Sequence, residues 1–453
     1  MEINNELFVI PDEDKFILYV PLEGSVVSVS SGVVGALKKI KKGEESSLQP
    51  EIKEQLIKTK ILVESQSSCN IKKEGSEYEP TSITLMPTYN CNLRCVYCYS
   101  HGGERVGQIM EFDVAKSAID LVVKNSLKVG NKDIHLGFHG GGEPLLRGNI
   151  DFLKRSVEYF NKQTEKNNLK GRVSSATNGV FNNLNHRDLE WILKNIDRLN
   201  ISLDGTADIQ DAQRPMAGPN HRFMPSSDYV VETIKILEEE KYPYGIRATI
   251  TAESVPRMSE ILEFFHSISS NKSFHLEPLF ECGRCKTTKA RAPSPEDYLK
   301  YLLEAKQTAE KLEVGIYYSG AKLEGIHNSF CGAAGKNFLV SPEGRVTTCL
   351  EVSRKDDDMA EIFIVGQYNP DKNQFEFDDT KIKRLQGRVV ENIPNCRDCF
   401  AKYNCGGDCL AKGYAQSRSL EDTINNSRCS INQGILFHEI KQKLKGGQNG
   451  KQI

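Results

Sequence analysis

The sequence has no surplus of charge of either sign: 59 Lys and Arg stand against 61 Asp and Glu, a formal net charge of −2. Such a balance offers no field for a polyphosphate or an anionic bilayer, so neither nucleic acid nor a membrane is an expected partner. No uninterrupted apolar run reaches the length needed to cross a bilayer. The opening residues, MEINNELFVIPDEDKF, lack the basic start and apolar stretch of a secretion signal. A soluble cytoplasmic protein is the expectation, and 453 residues are too many for one ordinary core, so two or three domains are expected.

Cysteine, by contrast, is abundant. There are 13, an odd number, and in a reducing compartment they point to metal binding or redox chemistry rather than to a disulfide framework. Three fall at Cys91, Cys95 and Cys98, a pair at Cys282 and Cys285, and four between Cys396 and Cys409. Cys69 stands alone and reads as a linker or half-buried thiol.

Residues 6–30 read as short strands broken by turn signals, followed by two amphipathic stretches, GVVGALKKIKK and PEIKEQLIKTKIL. The polar run SQSSCNIKKEGSEYEP then reads as a linker, which sets residues 1–75 apart as a small α+β module, either a binding unit or a buttress. From about 82 to 280, six strand-like runs (SITLMPTY, DIHLGFHG, RVSSATNG, RLNISLDG, GIRATIT, FHLEPLF) alternate with amphipathic helical stretches. That rhythm predicts a parallel sheet with crossovers of one hand, and chemistry at the carboxyl ends of its strands.

The first of those runs leads into Cys91-Asn-Leu-Arg-Cys95-Val-Tyr97-Cys98. Three thiolates on one loop can hold three irons of a cubane cluster and leave the fourth open to another ligand. From spacing alone a zinc site completed by His101 is also open.

This C-x3-C-x-aromatic-C pattern at the head of a βα repeat resembles the signature of the radical S-adenosylmethionine (SAM) superfamily. Gly140-Gly141-Gly142-Glu143-Pro144, after the second strand, resembles that family's glycine-glycine-glutamate motif. The resemblance implies that Gly141, Gly142 and Glu143 receive the SAM amino group, where glycines permit close backbone approach. It further implies that Asn178 and Ser202 contact ribose and carboxylate, that Arg247 pairs with the carboxylate, and that Tyr97 lies by the adenine. Asn178, Ser202 and Arg247 also read as ordinary strand-end groups. The reaction so implied is reductive cleavage of SAM and abstraction of a hydrogen atom by the 5′-deoxyadenosyl radical.

Further along come Cys331-x12-Gly344-x4-Cys349, then Cys396-x2-Cys399-x5-Cys405-x3-Cys409 and Cys429. This resembles the seven-cysteine pattern of the SPASM domain, a twin-cluster extension of radical SAM enzymes that mature peptides and proteins. The resemblance implies that Cys396, Cys399, Cys405 and Cys429 ligate a distal auxiliary cluster, and Cys331, Cys349 and Cys409 a nearer one. Cys282 or Cys285 completes the nearer set, or one of its irons is open. The implied cofactors are SAM and three 4Fe-4S clusters, one SAM-binding and two auxiliary. Where sulfatase-maturing relatives carry a further cysteine and an Asp, this chain has Gly325 and Leu350.

The expected fold class is α/β: a partial (β/α)6 TIM barrel radical SAM core, a small N-terminal winged-helix-like α+β domain and a C-terminal cysteine-rich SPASM domain. The expected division is 1–75, leader-peptide recognition; 76–280, barrel; 281–330, bridging region; 331–430, SPASM; and 431–453, tail. The N-terminal module is similar to domains that bind a leader peptide as an added strand. The whole most resembles maturases of the sactipeptide and ranthipeptide type, which join a cysteine sulfur to a carbon of a ribosomally made precursor peptide. The partners implied are that peptide with its leader and a reductant such as flavodoxin or ferredoxin. Other outcomes remain open at this stage: a carbon–carbon or carbon–oxygen crosslink, sulfatase maturation, or, outside enzymes, a zinc or Fe-S redox sensor.

Overall fold

The computed structural model describes residues 1–45, 48–66, 77–104, 107, 109–218, 225–420, 427–446 and 450–452. Cys69 and most of the polar run expected as a linker lie outside the described residues. The chain forms two compact units, each assembled from separated segments.

The first unit comprises Met1–Gly75, Gly320–Cys331 and Gly387–Ile453. It begins with an antiparallel meander, β1 (Phe8–Asp12), β2 (Lys15–Val20) and β3 (Ser25–Val29). Glu13, at φ 54°, makes the tight turn between β1 and β2. Successive side chains of a strand point to opposite faces, and here both faces are apolar. Leu18, Val20, Val27 and Val29 pack with Val33, Val34 and Leu37 of α1 (Ser31–Lys41) and Leu56 of α2 (Pro50–Lys58). Ile10, Ile17, Tyr19 and Val26 pack on the other face with Ala401, Leu436 and Ile440, the last two from the C-terminal helix Ser427–Lys445. The Tyr19 hydroxyl donates to Asn404 Oδ1 at 2.8 Å, and Lys402 Nζ lies 2.7 Å from Glu6 Oε2. The N-terminal sheet and part of the cysteine-rich C-terminal region therefore share one core. The segment 331–430, read from the sequence as one domain, is divided between the two units.

The second unit comprises Ser76–Ser319 and Gly332–Gln386. Its strands β4 (Ser82–Leu85), β5 (Asp133–Phe138), β6 (Lys170–Thr177), β7 (Arg198–Ser202), β8 (Tyr244–Ile250) and β9 (Ser273–Pro278) lie in sequence order and pair in parallel. Helices α3 (Phe112–Val129), α4 (Ile150–Lys166), α5 (His186–Asn195), α6 (Ala207–Gln213), α7 (Ser226–Glu239) and α8 (Met258–Ile268) make the crossovers. All six strand runs expected from the sequence are present, so their carboxyl ends share one side. Three of their strand ends carry the sequences HGGGEP, NG and LDG.

Two additions extend the sheet beyond that repeat. Helix α9 (Pro295–Lys311) leads to β10 (Gly315–Tyr317), which pairs parallel with β9. Ser294 caps α9 by accepting the Asp297 N–H at 3.0 Å, with Pro295 opening the helix. At the opposite edge β11 (Leu339–Val340) pairs parallel with β4 and starts an antiparallel run through β12 (Arg345–Thr347), β13 (Ile364–Asn369) and β14 (Gln374–Phe377). Among the described residues no helix is long and apolar enough to cross a membrane.

Candidate functional site

In the second unit the loop after β4 carries Cys91, Cys95 and Cys98, and other backbone holds it closely. Arg94 N–H donates to Pro215 O at 2.8 Å, Val96 N–H to Gln213 O at 2.9 Å, and Ala217 N–H to Asn92 O at 2.8 Å. The segment after α6 thus pairs with the cysteine loop almost as a strand.

N–H groups also converge on the sulfurs. Leu93 N–H donates to Cys91 Sγ and Gly102 N–H to Cys98 Sγ, each at 3.4 Å, and Asn178 Nδ2 lies 3.9 Å from Cys91 Sγ. Burial pushes the Cys91 thiol up to about 12, and Cys95 and Cys98 add to the rise. Burial lifts Cys95 to about 11, with Arg214 opposing. No group of three or more His, Cys, Asp or Glu among the described residues meets as a ready-made metal site. What the loop offers is a donor set that fits an iron–sulfur cluster: three neighbouring sulfurs, of which Cys91 and Cys95 are desolvated and Cys91 and Cys98 are met by N–H donors.

The glycine run after β5 packs against the head of the same loop. Gly142 N–H donates to Thr88 O and Glu143 N–H to Asn90 O, both at 2.8 Å, and Ser100 Oγ donates to Gly141 O. A Cβ on Gly142 would stand 2.0 Å from Asn90 O. Gly141, at φ 69°, would place one 2.7 Å from Thr88 O. Only glycine fits both positions.

Glu143 is buried and turned into the protein. Its Oε1 accepts Thr177 Oγ1 at 2.7 Å and Leu145 N–H at 3.0 Å, while Oε2 accepts Asn178 N–H at 2.7 Å. Burial raises its pKa against those donors. Asn178 passes the connection on: its Nδ2 donates to Asn92 Oδ1 at 2.7 Å, and its Oδ1 accepts Val180 N–H at 2.9 Å. Glycine run, β6 end and cysteine loop form one hydrogen-bonded assembly.

Ser202 and Arg247 are register partners on β7 and β8, and Arg247 pairs onward with His275 of β9. Arg247 is exposed and Ser202 half-buried. His139, between β5 and the glycines, can be reached by solvent yet is ringed by protein. Desolvation and the Arg247 cation push it down to about 4, so its imidazole is neutral. Tyr97 donates its hydroxyl proton to Asp204 Oδ2 and accepts Arg214 Nη1 at 2.8 Å.

Several participants escaped the sequence reading. Asp204 stood in the quoted LDG strand end without a role, and Gln213 and Arg214 had no motif at all. Asp204 Oδ1 accepts Thr249 N–H at 3.0 Å, and its Oδ2 accepts Gln213 Nε2 at 2.8 Å. The FECGRC segment also lies here: Arg284 donates to Cys95 O at 2.6 Å, and a Cβ on Gly283 would meet Cys98 O at 2.4 Å. Cys285 is buried among Leu279, Ala290, Val96 and Tyr97, whereas Cys282 is half-buried.

The first unit holds the other cysteine groups. Burial raises the Cys405 thiol, with Asp408, Cys396 and Cys399 adding to it, so these sulfurs are neighbours. Gln433 Nε2 lies 3.3 Å from Cys399 Sγ. Gln433 stands four residues after Cys429 on the C-terminal helix, so both lie on one helix face. Cys331, exposed, and Cys409 belong to this unit, and buried Cys349 to the second. Between β1 and α1 lies a cavity of about 470 Å³, lined by Leu7, Val9, Val34, Leu37, Lys38 and Lys41 among others.

Residues 85–265 match the Radical SAM superfamily, so the chain carries a radical SAM domain there. The cysteine-type anaerobic sulfatase-maturating enzyme of Clostridium novyi (strain NT) is 29% identical over 186 residues, 41% of this chain and 47% of that protein. The chain spans about half the length of the curated relatives it matches. Two solved structures share the fold. Native anSMEcpe with bound AdoMet and Cp18Cys peptide superposes with a TM-score of 0.59 at 18% identity, covering 80% of this chain and 98% of that one. Streptococcus suis SuiB bound to precursor peptide SuiA gives 0.52 at 15% identity, covering 94% and 99%.

Proposed function

We propose that the chain is a radical SAM enzyme that modifies a ribosomally made precursor peptide, joining a cysteine sulfur to a carbon by a thioether bond. The observation that carries the reading is the single hydrogen-bonded assembly of cysteine loop, Gly141–Gly142 and Asn178, in which N–H groups of Leu93, Gly102 and Asn178 are directed at the Cys91 and Cys98 sulfurs. When bound, the cluster and SAM supply a one-electron cleavage that delivers a hydrogen-abstracting 5′-deoxyadenosyl group.

Cys91, Cys95 and Cys98 are the ligands of that cluster in this reading. Gly141, Gly142 and Glu143 receive the SAM amino group in this reading, the glycines giving it close access to backbone and Glu143 also holding the glycine loop to β6. Arg247, exposed beside Ser202, has a charge available for a carboxylate. Cys396, Cys399, Cys405 and Cys429 would hold an auxiliary cluster in the first unit.

A peptide substrate is supported by the two folds cited, each solved with a peptide. The cavity between β1 and α1 suits the leader: its lining mixes apolar side chains such as Val9 and Leu37 with polar ones such as Asn5 and Lys38, and β1 is at a sheet edge able to pair with an added strand. Sulfatase maturation is the second reading, favoured by the Clostridium novyi relative. Leu350, where the resemblance implies an Asp proton acceptor, weighs against it.

The test is the intact mass of the cysteine-bearing peptide encoded beside this gene, co-expressed with the enzyme without oxygen. Loss of two hydrogens per modification with a matching loss of free thiols supports the thioether. Two hydrogens lost with all thiols still free means another crosslink.

A further inference from the structure

Two arginines flank the Cys91–Cys98 loop, and they are held in different ways. Each nitrogen of the Arg284 guanidinium donates to protein: Nη1 to Cys95 O at 2.6 Å, Nη2 to Gly102 O at 3.1 Å, and Nε to Glu104 Oε1 at 2.5 Å. Its charge is answered by the Glu104 carboxylate. Arg214 is only 8% exposed. Its Nη1 donates to the Tyr97 hydroxyl at 2.8 Å and stands 4.0 Å from Asp204 Oδ1, while its Nε has no hydrogen-bond partner.

A buried N–H left unmet is destabilising, so an orphan beside a ligand loop asks for an acceptor. Asp204 does not supply it. Its two oxygens already accept Thr249 N–H, Gln213 Nε2 and the Tyr97 hydroxyl. The backbone pairing points to sulfur instead. Leu93 bridges Met216 in antiparallel register, and the Arg94 and Val96 N–H groups donate to Pro215 O and Gln213 O, so Cys95 and Arg214 stand opposite each other. Residues directly opposite in an antiparallel pair carry their side chains on the same face.

We propose that Arg214 is a positioning residue for the cluster held by Cys91, Cys95 and Cys98: fixed by Tyr97 and Asp204, it turns its unpartnered Nε–H and its charge to the Cys95 corner and eases one-electron reduction of that cluster. The inference rests on the radical SAM reading above. Reduction adds one negative charge to the cluster and removes one electron from an external donor, dithionite in the test. A buried cation and an N–H donor at the sulfurs favour the more negative state and raise the potential.

The test uses full-length enzyme, reconstituted with iron and sulfide without oxygen, and follows reduced clusters by electron paramagnetic resonance during a redox titration. The relevant signal is the one missing from the triple variant Cys91→Ala, Cys95→Ala, Cys98→Ala. In Arg214→Gln its reduced-to-oxidised ratio at the wild-type midpoint falls about tenfold, a shift of about 59 mV. In Arg214→Lys, which keeps the charge, the fall is about threefold or less. An unchanged midpoint in Arg214→Gln overturns the proposal. So does an equal shift in both variants, or an equal loss of iron from both, since each makes Arg214 a brace and nothing more. A wild-type enzyme with no signal sensitive to the triple variant overturns the radical SAM reading itself.

Discussion

Glu143 Oε2 accepts the backbone N–H of Asn178 at 2.7 Å, so the end of the glycine run and the end of β6 are one structure. Asn178 in turn reaches Asn92 beside Cys91. Glu143, expected from the sequence to meet a ligand, also braces the glycine run against β6.

That brace is testable by stability. Glu143→Ala leaves the Thr177 hydroxyl and two backbone N–H groups without their acceptor. The expected loss is about 3 kcal/mol or more in denaturant unfolding, against about 1–2 for Glu143→Gln, which keeps one oxygen. Equal losses would mean that the donors find other partners.

Gly142→Ala places a methyl 2.0 Å from Asn90 O. Overpacking of this kind costs about 1–3 kcal/mol, and displacing the loop weakens SAM binding at least tenfold by equilibrium dialysis. Gly148→Ala meets nothing within 4 Å and leaves both quantities unchanged.

The open choice between Cys282 and Cys285 as a fourth auxiliary ligand is decided by iron analysis. Cys285 lies in an apolar cluster with Leu279 and Ala290. Cys285→Ala should keep its full iron content and lose about 1 kcal/mol of packing. A drop in iron in that variant would make Cys285 a ligand.

For the groove, Val9 is the informative position, 42% exposed on the edge strand β1. Val9→Asp puts a charge where an apolar peptide face would be buried. Leader-peptide binding, read by fluorescence anisotropy, should weaken at least tenfold, about 1.4 kcal/mol, while SAM binding is unchanged. Undiminished peptide affinity would remove this groove from the reading.

His139 gives a pH dependence of defined sign. Its pKa in the fold is about 4, below the ordinary 6.5. In that window the unfolded chain binds more protons than the folded one, so His139 contributes stability above pH 6.5 that is lost as pH falls towards 4. Because solvent reaches the ring, the contribution is under about 1 kcal/mol. Between pH 7.5 and 5.5 wild type should lose more stability than His139→Asn, by that amount. Parallel losses would show His139 protonated as freely in the fold as outside it.

Much of the second unit was legible because its information is local. Period-2 and period-3.6 patterns gave all six parallel strands from Ser82 to Pro278 and the helices between them except the short α6. The same reading stopped short at β10 and at β11–β14. Strands of two or three residues, such as Leu339–Val340 and Gly315–Tyr317, are too short to show a period. The domain at residues 85–265 was legible from cysteine and glycine spacing, since a ligand loop must place its donors within a few residues of one another.

The sequence by itself determined which residues could ligate, bend or bury: the thiols of Cys91, Cys95 and Cys98, the glycines beside Thr88 and Asn90, the alternation of β1–β3. Tertiary structure alone decided what stands behind them. Arg214 meets Tyr97 across 117 positions, and Tyr19 meets Asn404 across 385. Spacing along the chain carries no trace of such pairs, because they form only when separated segments must satisfy each other's buried polar atoms. For the same reason the N-terminal sheet shares a core with Leu436 and Ile440: a sheet apolar on both faces must find its second cover wherever the chain brings one.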